Sequence, residues 1–311
     1  MNKRLLITIS ASLAVLLAIV LVVRMSGDRV PPEERRAQVY NKEALDIYSQ
    51  GSELLSRGDR SGAASYYQKI TEEYPLSTSA SLAYMALGDI ESKEASLLQA
   101  KQYYREVIDK FPDDTAAIEA QKKLEDINMR LLFSPAPTEK SIIYTIEPGD
   151  TLIGIARKFH TTVELIQKSN NISGDTIRPF KKIKITKAEY SIFVDKSQNT
   201  LTLKTGDEVL KVYTVATGSN SSTPVGEFKI VNKLKDPVWF KSGAIVPPDS
   251  PENILGTRWM GLDEPGYGIH GTTEPDSIGK QVTAGCVRMP NKDVEELYSI
   301  IPEGTKVTIV D

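Results

Sequence analysis

The sequence is short of the residues that most chemistry needs. Its 311 residues hold one cysteine, two histidines and two tryptophans. A single Cys excludes an internal disulfide, and with no HExxH or CxxC pattern no metal site is suggested. The Gly-rich stretch GYGIHG lacks a phosphate-cradling or dinucleotide fingerprint, so no nucleotide and no other cofactor is expected. No charge of one sign dominates: the net charge is −3, which argues against a nucleic-acid binder with a basic face. What remains is a narrow choice. Any Cys/His chemistry falls to Cys286 with His160 or His270.

One long hydrophobic run is present. Residues 5–23, LLITISASLAVLLAIVLVV, carry no charge, and nineteen helical residues reach about 28 Å, near the hydrocarbon thickness of a bilayer. Lys3 and Arg4 precede it, and no A-x-A cleavage pattern follows. The expectation is an uncleaved single-pass anchor. Residues 1–4 would form a cytoplasmic tip, with the bulk of the chain extracytoplasmic in periplasm or wall.

Residues 38–131 read as helical and repeat at an offset of 37: Gly51, Ala63, Tyr67 and Pro75 recur as Gly88, Ala100, Tyr104 and Pro112. The pattern resembles tetratricopeptide helix pairs, in which a small residue lets two helices approach and Pro ends the second. A third partial copy, Thr115 to Arg130 with Ala120 matching Ala83, would cap the stack. The repeats stand either as a spacer or as a docking surface for a protein partner. Residues 132–141, containing SPAPTEKS, form a linker.

Residues 142–187 give strand, helix, helix, strand. Asp150 or Thr151 starts the first helix, and Thr161 with Glu164 offers a capping box for the second. YTIEPGDTLIGIARKF with NNISGDTIRPFKKIKI resembles a LysM module. The resemblance implies binding to N-acetylglucosamine-containing glycan such as peptidoglycan, through Gly149, Asp150 and Thr151 and the Asn170/Asn171 region. His160, just past the first helix, reads as an exposed turn residue.

Residues 189–311 read as mostly strand and turn, with hairpin signals at Gln198-Asn199 and Gly206-Asp207. One helix starts at an Asn291 cap and presents Val294, Leu297 and Tyr298 on one face. The fold class is therefore multidomain: an all-α repeat, a small βααβ module, and a β-rich, sandwich-like domain. Cys286 lies sixteen residues after His270. A thiol is mostly protonated at neutral pH, and an imidazole within reach takes its proton to give an ion pair. No acidic residue adjoins His270, so the Gly271 carbonyl is the expected acceptor that fixes its tautomer. Backbone N–H groups at Gly285 and Cys286 are candidates to receive an oxyanion. Spacing alone leaves a buried, inert Cys286 and a core His270 equally open.

The wider string, HGTTEPDSIGKQVTAGCVRM, with STPVGEFKI and NILGTRWMGL, resembles the YkuD-type L,D-transpeptidases. The resemblance implies acyl transfer from a tetrapeptide stem through a Cys286 thioester, with His270 as base and Gly271 orienting it. D-Ala would leave, and an amine acceptor would close a 3→3 crosslink or attach a protein to the wall. Arg288 would brace the site or meet a substrate carboxylate, and Trp259, Tyr267 and Thr283 would line the cleft. The second His that many relatives carry before Gly-Cys is Ala284 here. An L,D-carboxypeptidase, in which water takes the acyl group, and a non-catalytic wall-binding scaffold are the alternatives.

Overall fold

The structure is a computed structural model that describes residues 31–241 and 243–311. The apolar run at 5–23 lies outside them. Among the described residues no helix is long and apolar enough to cross a membrane. The chain forms two compact units that divide between Leu87 and Gly88.

The first unit holds α1 (Pro32–Ser56), α2 (Arg60–Glu73) and the start of α3 (Ala80–Lys93). Asp59 caps α2 by accepting from the Gly62 N–H, and the chain leaves that helix just before Pro75, which cannot continue the hydrogen-bond ladder. Gly51 has the Tyr67 ring where a side chain would be: a Cβ there would sit 2.8 Å from Tyr67 Cε1. The second unit repeats this device in α4 (Leu97–Lys110), where a Cβ on Gly88 would sit 2.5 Å from Tyr104 Cε1. Each Tyr hydroxyl reaches the residue after its Gly: Ser52 at 3.2 Å, and Asp89 at 2.7 Å. The 37-residue offset thus has a packing cause. The Gly88→Ala variant is expected to lose about 1–3 kcal/mol by overpacking, which urea denaturation would read as a lower midpoint at unchanged slope.

Helix α5 (Thr115–Leu132), capped by Asp114, closes the helical segment against the sheet of the C-terminal region. Its Asn128 amide donates to the Val209 carbonyl at 3.2 Å, and Glu125 accepts from the Val212 N–H at 3.2 Å. An edge strand's unpaired backbone is a liability, and here helix side chains occupy it.

The LysM-like segment forms as expected: β1 (Ser141–Thr145), α6 (Leu152–Lys158), α7 (Val163–Asn170) and β2 (Lys182–Thr186), with β1 and β2 antiparallel. Ile146, Leu152, Ile155, Ile166, Ile183 and Ile185 fill its core. Thr151 caps α6 through the Gly154 N–H. His160 is exposed, with φ +50° after the helix. The expected Thr161/Glu164 capping box does not form. Thr162 caps α7 instead, accepting from the Leu165 N–H at 2.9 Å and donating to the Ser299 carbonyl. Glu164 pairs with Lys235 at 2.8 Å. A contact distant in sequence therefore chose between two adjacent threonines.

The C-terminal region is one eight-stranded mixed sheet, in the order β13-β11-β10-β7-β14-β3-β4-β5. Its strands are β3 (Tyr190–Asp195), β4 (Thr200–Thr205), β5 (Glu208–Thr214), β7 (Gly226–Lys235), β10 (Arg258–Leu262), β11 (Gly268–His270), β13 (Val287–Arg288) and β14 (Lys306–Val310). Two short pairs stand apart: β6 (Thr217–Gly218) with β12 (Gln281–Thr283), and the hairpin β8 (Trp239–Lys241) with β9 (Ala244–Val246). Gly206-Asp207 makes the tight β4/β5 turn, with Thr205 paired to Glu208. The chain's last strand is central, parallel to β3 and antiparallel to β7. Helix α8 (Asn291–Ile300) buries Val294, Leu297 and Tyr298 in the core, together with Met129 and Leu132 of α5 and Leu165 of α7. Asn291 is not the cap expected of it. Pro290 holds that position, and the Asn291 side chain turns toward the candidate site.

Candidate active site

Strands β11 and β13 run parallel, pairing Ile269 with Val287 and His270 with Arg288. This register sets Cys286, just before β13, beside the start of β11. Thiol and imidazole both open onto one mainly apolar cavity of about 500 Å³, with Trp259, Thr283 and Arg288 also in its wall. Leu234, Pro237, Val238 and Phe240 form further apolar wall. Sequence reading missed that wall, although the run PVWF, too apolar for an open loop, was its signal.

His270 is 2% exposed, and its Nδ1 lies 2.7 Å from the Gly271 carbonyl oxygen. A carbonyl accepts and cannot donate, so Nδ1 carries the proton and Nε2 keeps its lone pair. The Trp259 ring stacks on the imidazole at 5.8 Å between centroids, and the indole N–H donates to Asn232 at 3.1 Å. Burial holds the His270 pKa down to about 4; the Gly271 and Leu255 carbonyls oppose this, and Arg288 adds to it. Burial also pushes the Cys286 thiol up, against the Gly268 backbone and Arg288. Both shifts favour the neutral thiol and neutral imidazole over the ion pair. Cys286 Sγ points at the Gly266 carbonyl, 3.6 Å away.

The turn before Cys286 is tightly specified. Gly285 has φ +137°, and a Cβ there would lie 2.6 Å from Tyr267 Cε1 and 3.0 Å from the Ser222 carbonyl oxygen. Thr283 Oγ1 donates to the Cys286 carbonyl at 2.6 Å and accepts from the Gly285 N–H at 3.2 Å. Gly285 N–H is therefore engaged and not aimed at a developing oxyanion. The Cys286 N–H has no hydrogen-bond partner among the described residues and is the better candidate. Tyr267 packs behind Gly285 and does not line the cavity as expected. Arg288 bonds Glu274 and Ser277, while its buried Nε has no partner among the described residues.

Asn291 was read only as a cap, yet it acts on the site's backbone. Its Oδ1 accepts from the Thr272 N–H at 3.0 Å and the Thr257 N–H at 3.3 Å. The Thr272 N–H and the Gly271 carbonyl belong to one peptide unit, so Asn291 fixes the plane that orients His270. The Asn291→Ala variant leaves these N–H groups without that acceptor, for a cost of about 1–3 kcal/mol. The expected result is a lower melting temperature together with slower acylation of Cys286, followed by calorimetry and by rapid-quench mass measurement.

The residues picked out for glycan are largely committed to the fold. Asp150 accepts from the Tyr144 hydroxyl and the Glu147 N–H, both at 2.8 Å. Thr151 is the α6 cap, and Gly149 takes φ +93° in the turn before it. Asn170 clamps Lys184, accepting from its N–H and donating to its carbonyl. Asn171 ends α7 in the left-handed conformation. Phe180, 76% exposed, bonds its N–H to the carbonyl of Ile146, the residue just before the 147–150 turn. It was not singled out from sequence.

A lone thiol and a tautomer-fixed imidazole sharing one cavity define a cysteine-nucleophile enzyme. The family model for the L,D-transpeptidase catalytic domain matches residues 189–309, and that for the LysM domain matches 144–186. The relative from Bacillus licheniformis named L,D-transpeptidase YkuD is 38% identical over 176 residues, covering 54% of this chain and 98% of its own. Its namesake from Bacillus subtilis is 37% identical over 175 residues, covering 54% and 98%. An L,D-transpeptidase structure from Mycobacterium smegmatis aligns with 21% identity and a TM-score of 0.34, over 42% of this chain and 63% of that one. The chain belongs to the YkuD-type L,D-transpeptidases and carries a LysM domain beside its catalytic domain.

Proposed function

We propose that the protein is a membrane-anchored peptidoglycan L,D-transpeptidase that works through a Cys286 thioester. The observation that carries this reading is the β11/β13 register, which opens Cys286 Sγ and the His270 ring onto one cavity. The thiol sulfur attacks the carbonyl carbon of the third residue of a tetrapeptide stem, forming an S–C bond. His270 Nε2 takes the thiol proton and delivers it to the D-Ala nitrogen as the C–N bond breaks. The side-chain amine of a second stem then attacks the thioester; a new C–N bond forms and the C–S bond breaks. The amine's proton returns through His270 to the thiolate. Arg288 braces the turn, and Trp259 holds the imidazole plane.

The LysM domain supplies the grip on glycan, through the 147–151 turn and the Asn171 end of α7. The run at 5–23 supplies the anchor, so that the chain after it lies outside the membrane. Holding enzyme and polymer together raises the effective concentration of a weakly bound stem. The helical repeats leave room for a protein partner.

The test is incubation of the full-length protein with tetrapeptide muropeptides, followed by mass analysis. Dimers joined 3→3, with free D-Ala, are expected. Tripeptide monomers without dimers would reassign the enzyme as an L,D-carboxypeptidase. No product from the wild type, and no change on Cys286→Ala, would leave a wall-binding scaffold.

A further inference from the structure

A second cavity, of about 510 Å³, lies at the seam of α4, α5, the linker, β2 and the β3–β5 end of the sheet. It shares no lining residue with the catalytic cavity. Its mouth is open, with Leu98 56% exposed, and its floor is buried: Lys184 is 2% exposed, Thr186 6% and Tyr190 7%.

The charges in its wall do not balance. Glu208 accepts from Lys101 at 2.6 Å, Arg105 at 2.6 Å and Lys140 at 2.9 Å. Lys184 is a fourth cation, and its Nζ reaches only main-chain carbonyls, Leu131 at 2.7 Å and Ser134 at 2.9 Å. No carboxylate among the described residues pairs with it. Four cations face two carboxylates in this lining, Glu208 and Glu139, leaving two positive charges in excess. A buried ammonium without a counter-ion is costly. Its pKa falls to about 8, with burial as the cause. Two hydroxyls of the same floor, Tyr190 Oη and Thr186 Oγ1, have no hydrogen-bond partner among the described residues, where buried polar groups are ordinarily satisfied.

We propose that this cavity binds an oxyanion, a carboxylate or phosphate group. Its oxygens would take the remaining Lys184 proton, Arg105 N–H groups not given to Glu208, and the Lys140 proton left after Glu208 and the Thr205 carbonyl, with the Tyr190 and Thr186 hydroxyls completing the shell after a small shift. The occupant supplies the missing negative charge and ties together the helical, LysM and catalytic segments. It stabilises the seam without touching Cys286, so the site stands independently of the reaction assigned above. A wall polymer offers both sources of the group, the carboxylates of its peptides and the phosphates of any phosphodiester chain attached to it.

The full-length protein is titrated with inorganic phosphate and, separately, with N-acetyl-D-alanine, by calorimetry and thermal melting. Sodium chloride at matched ionic strength is the control. A saturable rise in melting temperature with at least one of the two is expected, since a ligand bound to the native state alone stabilises it by mass action. Response to phosphate alone assigns the phosphodiester source, and response to the carboxylate alone assigns peptide. In Lys184→Met, which keeps the volume and removes the charge, affinity is expected to fall about tenfold or more. Arg105→Gln, a change at a half-exposed side chain, gives the same reading should the first variant not fold. Effects no larger than those of chloride, or wild-type affinity in both variants, would overturn the proposal.

Discussion

Acylation of Cys286 is expected to slow by about a hundredfold to ten-thousandfold in His270→Gln, the usual range for losing a positioned general base. Stopped-flow or quenched mass measurements with a carbapenem would read it. The size follows from the resting state: burial raises the thiol's pKa and lowers that of the imidazole to about 4, so little thiolate exists before the proton moves. The wild-type rate should stay flat from neutral pH down toward 4, because Nε2 keeps its lone pair through that range. An ordinary imidazole would lose activity near ~6.5. Stability follows the same shift. The unfolded chain takes up a proton near ~6.5 and the folded one near 4, so between these values the unfolded state binds more protons. Stability is whole above the upper value and falls as pH drops through the window, by on the order of 3 kcal/mol. His270→Gln should flatten that slope in denaturation curves taken across it.

Gly285→Ala is expected to remove activity by another route. The added methyl meets the Tyr267 ring at 2.6 Å, on a backbone at φ +137° that side chains rarely adopt. Strain and overpacking together should cost about 2–4 kcal/mol. The turn that carries Cys286 must shift in relief, breaking the Thr283 bonds to Gly285 and Cys286. Pairing the change with Tyr267→Leu separates the two causes. The double variant should regain the part of the stability lost to the ring, while the part due to φ and to the Ser222 carbonyl remains. Equal melting temperatures for Gly285→Ala and the wild type would contradict the account.

Much of this architecture was legible because local chemistry and tertiary packing agree. The 37-residue offset is visible in the sequence since Gly meets Tyr in both copies, and the β4/β5 turn is visible since Gly206 adopts φ +58°. Scarcity narrows the choice to one thiol and two imidazoles, and the resemblance of HGTTEPDSIGKQVTAGCVRM to the L,D-transpeptidases is what implies the roles of Cys286, His270 and the Gly271 carbonyl. The misreadings share a cause. Thr162 rather than Thr161 caps α7 because Ser299 lies against it, and Asn291 leaves the cap because the Thr257 and Thr272 N–H groups need an acceptor. Asn170 is taken up by Lys184, and Gly285 N–H by Thr283. Each partner was set by the folded arrangement around it, which periodicity does not report. The same holds for Glu208, whose three cations come from a helix and a linker about a hundred residues and about seventy residues away.

The central claim is that Cys286 carries the acyl group. Intact-mass analysis of full-length protein, acid-quenched during turnover of a tetrapeptide stem, tests it most directly. The account predicts an adduct equal to the stem less D-Ala, released by hydroxylamine as a thioester would be, mapped to Cys286 and absent in Cys286→Ala. Product formation with no such adduct, or an unchanged adduct in Cys286→Ala, would contradict it.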